Sequence, residues 1–250
     1  MTFSFFKYTS LTYPRHRLLL ETCCVLLGIT LMAQPATAVD SAEKLAPRVV
    51  ESCVLESVER IQRFYDSVTD LEGRFVQSTE AVGIGASLGG EESQATGRVV
   101  LAKPGRMRWE YEAPEPSLVI SNGKSLWIYD PLAREAQHLA VTEEYLSGAA
   151  LQFLVGGGVL LEEYDVQGKR CSPDQVDLVL RPKSPATYEW LELRADRKTG
   201  QILETVLVDL LGNTTRLSLH NMQTNRSPDA SRFVFVAPPG VRVIDLGPLD

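Results

Sequence analysis

From Gly97 to Pro131 the chain offers three strand-length runs, broken by Lys103-Pro104-Gly105, by Ala113-Pro114-Glu115-Pro116 and by Asn122-Gly123. Proline and glycine at this spacing stop each run early and predict short strands joined by turns. Asn-Gly is a strong two-residue hairpin signal, because both residues tolerate positive φ. Side chains alternate along a strand, so Met107, Trp109 and Tyr111 share one face and Arg106, Arg108 and Glu110 the other. In 124–130, Leu126 and Ile128 oppose Trp127 and Tyr129. A strand that is apolar on both faces needs cover on both sides.

The same reading extends along the chain. Strands are predicted at 71–80, 97–102, 106–112, 117–121, 124–129, 135–141, 175–182, 188–196, 201–210 and 214–222. A last run, Arg232 to Val236, precedes Pro238-Pro239-Gly240. In 202–211, Ile202, Val206 and Val208 alternate with Leu203, Leu207 and Leu211, again apolar on both faces. Residues 48–66 predict a helix, with Val50, Val54, Val58, Ile61, Phe64 and Tyr65 in one stripe and Pro47 near its start. A second, short helical zone is predicted within 143–163, and 81–95 is a glycine-rich loop. Strands and helices do not alternate, which excludes a doubly wound parallel sheet. The expected class is α+β, mainly antiparallel β, with the sheet curved or partly closed.

The first residues predict export. Arg15-His16-Arg17 precedes an apolar stretch that ends in Ala36-Thr37-Ala38, the pattern of a signal peptide cleaved after Ala38. Residues 39–250 then form one expected domain. Cleavage removes Lys7, Arg15, Arg17 and Glu21, moving the formal net charge from −7 to −9. That balance argues against nucleic acid or an anionic membrane as the main partner. Cys53 and Cys171 remain. In an oxidising compartment they either pair across a long loop or stay separate buried thiols, and their spacing leaves both open.

The chemical motifs are weak. Gly85-Ala86-Ser87-Leu88-Gly89 spells G-x-S-x-G, but no strand precedes it and no helical pattern follows, as a nucleophile elbow requires. Gly83-Ile84-Gly85 is half a dinucleotide fingerprint, with Leu88 where the third glycine should stand. His138 and His220 are too far apart in sequence to suggest a metal site. No cofactor and no catalytic residue is expected. A Ser87 hydrolase or a pair of distant carboxylates remains a competing class, as does a non-catalytic envelope sensor domain.

Taken in order, Leu71-Glu72-Gly73-Arg74-Phe75-Val76-Gln77, Lys103-Pro104-Gly105 through Tyr111, Ser121-Asn122-Gly123-Lys124, Leu126 through Pro131, and Gly212-Asn213-Thr214-Thr215 through Val241 resemble the LolA family. These are periplasmic carriers of outer-membrane lipoproteins. The resemblance implies an unclosed antiparallel β-barrel with an apolar inner face, lidded by short helices. It implies a periplasmic monomer that takes acylated lipoproteins from an inner-membrane ABC transporter and passes them to an outer-membrane acceptor. On this reading Met107, Trp109, Tyr111, Ile120, Trp127, Leu193 and Val206 line an acyl cavity. Phe64, Leu151 and Phe153 are inner contacts of the lid. Where the family places an arginine that ties lid to sheet, this sequence has Lys103, a single-point donor without the guanidinium fork.

Overall fold

The computed structural model describes residues 45–82, 93–140 and 158–247, with α1 side chains from Glu51 onward. Helix α1 (Leu45–Ser67) forms where the apolar period predicted it. Cys53, Ser57, Val58, Ile61, Tyr65 and the following Val68 are buried, while Glu51, Glu56, Glu59, Arg60 and Arg63 face water. The strands are β1 (Asp70–Glu80), β2 (Ser93–Ala102), β3 (Arg106–Ala113), β4 (Ser117–Asn122), β5 (Ser125–Asp130), β6 (Glu135–Ala140), β7 (Tyr164–Cys171), β8 (Gln175–Pro182), β9 (Tyr188–Asp196), β10 (Ile202–Asp209), β11 (Thr214–Thr224) and β12 (Arg242–Asp245). A single turn, α2 (Leu160–Glu163), precedes β7, and a 3₁₀ turn spans Ala230–Phe233.

The strands form one sheet in the order β12-β6-β5-β4-β3-β2-β1-β11-β10-β9-β8-β7. All pairings are antiparallel except β12 with β6. The end strands β7 and β12 do not pair with each other, so the sheet is unclosed. The Asn-Gly hairpin falls between β4 and β5, where Asn122 Oδ1 accepts from the amides of Lys124 and Ser125, both at 2.9 Å.

One face of the sheet carries the main core. Leu71 and Phe75 of β1, Val99 and Leu101 of β2, Met107 and Trp109 of β3, Leu126 of β5, Leu139 of β6, Leu178 and Leu180 of β8, Leu191 and Leu193 of β9, and Leu217 and Leu219 of β11 pack there with Val58, Ile61 and Tyr65 of α1. Each such side chain taken fully from water contributes about 1.5–3 kcal/mol. We call this the inner face. Helix α1 contacts β7 near Cys53 and reaches the end of β2 near Tyr65, six strands away in sheet order. A flat sheet would separate those strands by ~29 Å. The helix advances only ~18 Å between Cys53 and Tyr65, so the sheet bends around it.

The outer face is covered differently. Phe233 buries against Val100 and Ala102. Phe235 stacks on Trp127 and Tyr129, with ring centroids 5.2 and 5.3 Å apart. Arg232 grips Glu72 with two hydrogen bonds, 2.9 and 3.1 Å. The chain following β11 is therefore the cover that the two-faced strand β5 required. Farther along, a ladder of ion pairs crosses five strands: Arg170 to Asp177 (2.9 Å), Asp177 to Arg194 (3.0 Å), Arg194 to Glu204 (3.3 Å) and Glu204 to Arg216 (2.7 Å). That part of the outer face is a solvated, charged surface.

Three elements depart from the sequence reading: strands β7 and β12, which it did not predict, and the run Arg232 to Val236. Strand β7 was not predicted, because its residues are mostly polar, as suits an exposed sheet edge. The run Arg232 to Val236 is not a strand; its start forms the 3₁₀ turn, capped by Asp229 accepting from Ser231 N. Among the described residues no helix is long and apolar enough to cross a membrane.

Candidate functional site

The strand register decides which predicted residues meet. Trp109 pairs with Val99 on one side and Val119 on the other. Phe75, Trp109 and Tyr111 form an aromatic cluster on the inner face. Ring centroids lie 4.7 Å apart for Phe75–Trp109 and 5.1 Å for Phe75–Tyr111, the latter edge-to-face. Gly97 makes the cluster possible. It lies opposite Phe75 and Tyr111, and a Cβ there would stand 2.8 Å from the Phe75 ring. Met107 lies one step along β3 against Leu101. Leu193 sits on the same face, opposite Leu178 and Thr205. Phe64 of α1 packs against this core.

Ile120, Trp127 and Val206 lie on the other face. Ile120 pairs with Arg108 and Trp127, both pointing outward. Trp127 stacks on His138 at 4.3 Å and on Phe235. Val206 pairs with Glu192 and Arg216. The physical reason is the period of two: neighbours in one strand cannot share a face. In β10 a bulge between Ile202 and Glu204 also shifts the phase. Ile202 and Leu207 therefore both pack with the inner core, which strict alternation would forbid. These three residues therefore pack on the outer face, away from Met107, Trp109 and Leu193. Leu151 and Phe153 lie outside the described residues.

The cover is held at two points. Cys53 of α1 is disulfide-bonded to Cys171 at the end of β7, with Cα atoms 6.6 Å apart and a sequence separation of 118. At the other end, the Lys103 ammonium donates to the Tyr65 carbonyl at 2.5 Å, and Lys103 N donates to Thr69 O at 2.9 Å. Carbonyls in the last helical turn lack intrahelical partners and carry the negative end of the helix dipole, so a cation there is well placed. Partial burial holds the Lys103 ammonium below the ordinary lysine range, and the Asp66 carboxylate pulls the other way. Between these points, Ile202 N donates to the Tyr65 hydroxyl at 3.1 Å, and burial pushes that phenol far up. Gly200 lies beneath Arg60, where a Cβ would meet the helix carbonyl at 2.5 Å. A side chain there would push α1 off the sheet.

Polar groups are few on the inner face. The Tyr111 hydroxyl donates to Gln77 Oε1 at 3.0 Å. Burial pushes the Tyr111 phenol up to about 12, and the nearby Trp109 indole N–H acts in the opposite sense. That N–H, buried on a side chain only 6 % exposed, makes no hydrogen bond of normal geometry. Sequence reasoning missed Phe75 and Gln77, although alternation from Leu71 puts both on the inner face.

Ser87 lies outside the described residues. His138 stands on β6 beside Asp245, His220 on β11, and no cluster of His, Cys, Asp and Glu among the described residues could hold a metal ion.

The family profile described as outer membrane lipoprotein carrier protein LolA matches residues 66–236. An outer-membrane lipoprotein carrier protein of Azotobacter vinelandii is 29 % identical over 188 residues, covering 75 % of this chain and 87 % of the relative. One from Pseudomonas aeruginosa is 30 % identical over 190 residues, with the same coverage. Among solved structures, an uncharacterized conserved protein from Thermus thermophilus superposes with a TM-score of 0.47 at 16 % identity, covering 76 % of this chain and 98 % of that one. A LolA superfamily protein from Nitrosomonas europaea gives 0.40 at 15 % identity, covering 73 % and 97 %. These superpositions are loose, and the assignment rests on the sequence matches. The chain belongs to the LolA family of outer membrane lipoprotein carrier proteins.

Proposed function

We propose that this protein carries lipoproteins through the periplasm, shielding their acyl chains against the inner face of the sheet. The observation that carries this reading is the apolar inner wall of Phe75, Met107, Trp109 and Leu193 under a helix tied to the sheet at both ends. Family membership supports it. Each methylene removed from water contributes about 0.8 kcal/mol, so a long acyl chain gains on the order of 10 kcal/mol. A carrier must offset part of that gain or it will not release. Separating α1 from the wall supplies such a cost.

The two ties are not equivalent. The disulfide keeps the Cys53 end of α1 on β7, whereas the Lys103 contact is a hydrogen bond that breaks and reforms. The helix therefore acts as a cover hinged near Cys53 and opening near Tyr65. Cargo reaches the carrier from an inner-membrane ABC transporter and leaves to an outer-membrane acceptor, and the protein works as a monomer behind a cleaved signal peptide. The test is native mass spectrometry of protein purified gently from its own envelope. Bound diacyl or triacyl lipoprotein is expected; persistent absence of any acylated cargo would refute the reading.

A further inference from the structure

Resting on that carrier reading, the geometry points to the Trp109 indole N–H as the donor that receives the carbonyl oxygen of a bound acyl ester or amide, fixing how deep the chain enters. A hydrocarbon tail has no use for a donor, and an apolar wall has no reason to bury one. Yet Trp109 is only 6 % exposed and its Nε1 makes no hydrogen bond of normal geometry, although the Tyr111 hydroxyl lies near it. Indole nitrogen can only donate, so neither a cation nor another donor can satisfy it. Buried polar hydrogens are nearly always paired, and one left alone carries a desolvation penalty.

The surroundings say which acceptor fits. Phe75 stacks on the indole, Val99 and Val119 flank it across the strands, and Met107 lies next along β3. No carboxylate faces it from β3, where Arg108 and Glu110 point outward. A neutral acceptor attached to apolar bulk is therefore the match, and an acyl carbonyl has that form. Tyr111 and Gln77, already bonded to each other, lie beside it and are half-buried. The polar atoms thus gather at one end of the aromatic cluster, where the carbonyl end of the chain belongs, and the aliphatic wall receives the tail. The N–H distinguishes acyl cargo from a plain alkyl chain.

The test replaces Trp109 with benzothienylalanine, which keeps the ring shape and exchanges N–H for sulfur. Two probes are titrated against the full-length oxidised protein: 1-palmitoylglycerol, with its ester carbonyl, and 1-O-hexadecylglycerol, the matching ether. The substitution is expected to weaken the ester about tenfold, the size of one neutral hydrogen bond, and to leave the ether unchanged. In the wild type, ¹⁵N spectra should show the Trp109 indole proton moving downfield with the ester and not with the ether. Equal effects on both probes, or no effect on either, overturn the assignment while the carrier reading stands. If the wild type binds neither probe, both fall together.

Discussion

The Lys103 ammonium donates to the Tyr65 main-chain carbonyl, joining the turn after β2 to the last turn of α1. One side chain thus closes the cover that the disulfide holds at its far end.

Replacing Lys103 with alanine removes a charge-assisted hydrogen bond, worth about 1.5–3 kcal/mol. The helix amides from Ile61 to Ser67 should exchange with solvent at least several-fold faster, while those near Cys53 keep their protection. Hydrogen exchange with mass spectrometry reads this directly. Uniform protection along α1 would show that Lys103 does not hold the cover.

The Cys53–Cys171 bridge joins residues separated by 118 positions in sequence. In the chain-entropy model, reduction should cost about 4–5 kcal/mol of stability. Urea unfolding with and without reductant measures it, and the Cys53→Ser/Cys171→Ser double variant should match the reduced protein.

The two faces of the sheet predict opposite outcomes for two tryptophans. Trp109→Asp should abolish binding of a fluorescent acyl probe, since it puts a charge on the inner wall. Trp127→Asp should leave binding within about twofold and cost instead the outer stacking with Phe235, typically about 0.5–1.5 kcal/mol beyond area burial. Circular dichroism checks that each variant folds.

Glu112 bridges Arg74 at 2.7 Å and Arg98 at 2.9 Å on the outer face. The hydrogen bond from Arg74, aided by both positive charges, lowers its carboxyl below the usual range. A carboxyl depressed in the folded state stabilises above its unfolded pKa of ~4.3, and the benefit is lost as pH falls through the lower folded value. An NMR titration should place the Glu112 midpoint below that reference, and added salt should move it back up, since the pair is exposed.

Much of the fold was legible because it rests on local rules. The stripe Val54, Val58, Ile61 and Tyr65 marks α1 within a few residues. The proline and glycine turns mark β2 to β5, and alternation puts Met107, Trp109 and Tyr111 on one wall. Strand β7 was hidden because an edge strand needs no apolar face of its own. The outward turn of Ile120 and Trp127 was hidden for another reason: hydrophobicity cannot tell a core residue from one covered by a distant segment, here Phe235.

By itself, the sequence determined most of the elements, their order and the family, since periodicity, turn chemistry and motif order are properties of neighbours in the chain. Tertiary structure alone decided that Cys53 meets Cys171, that Lys103 reaches Tyr65, that Val206 faces away from Leu193, and that the Trp109 N–H makes no hydrogen bond of normal geometry. Each depends on register, on a bulge, or on approach between residues far apart in sequence, and no local pattern encodes those distances.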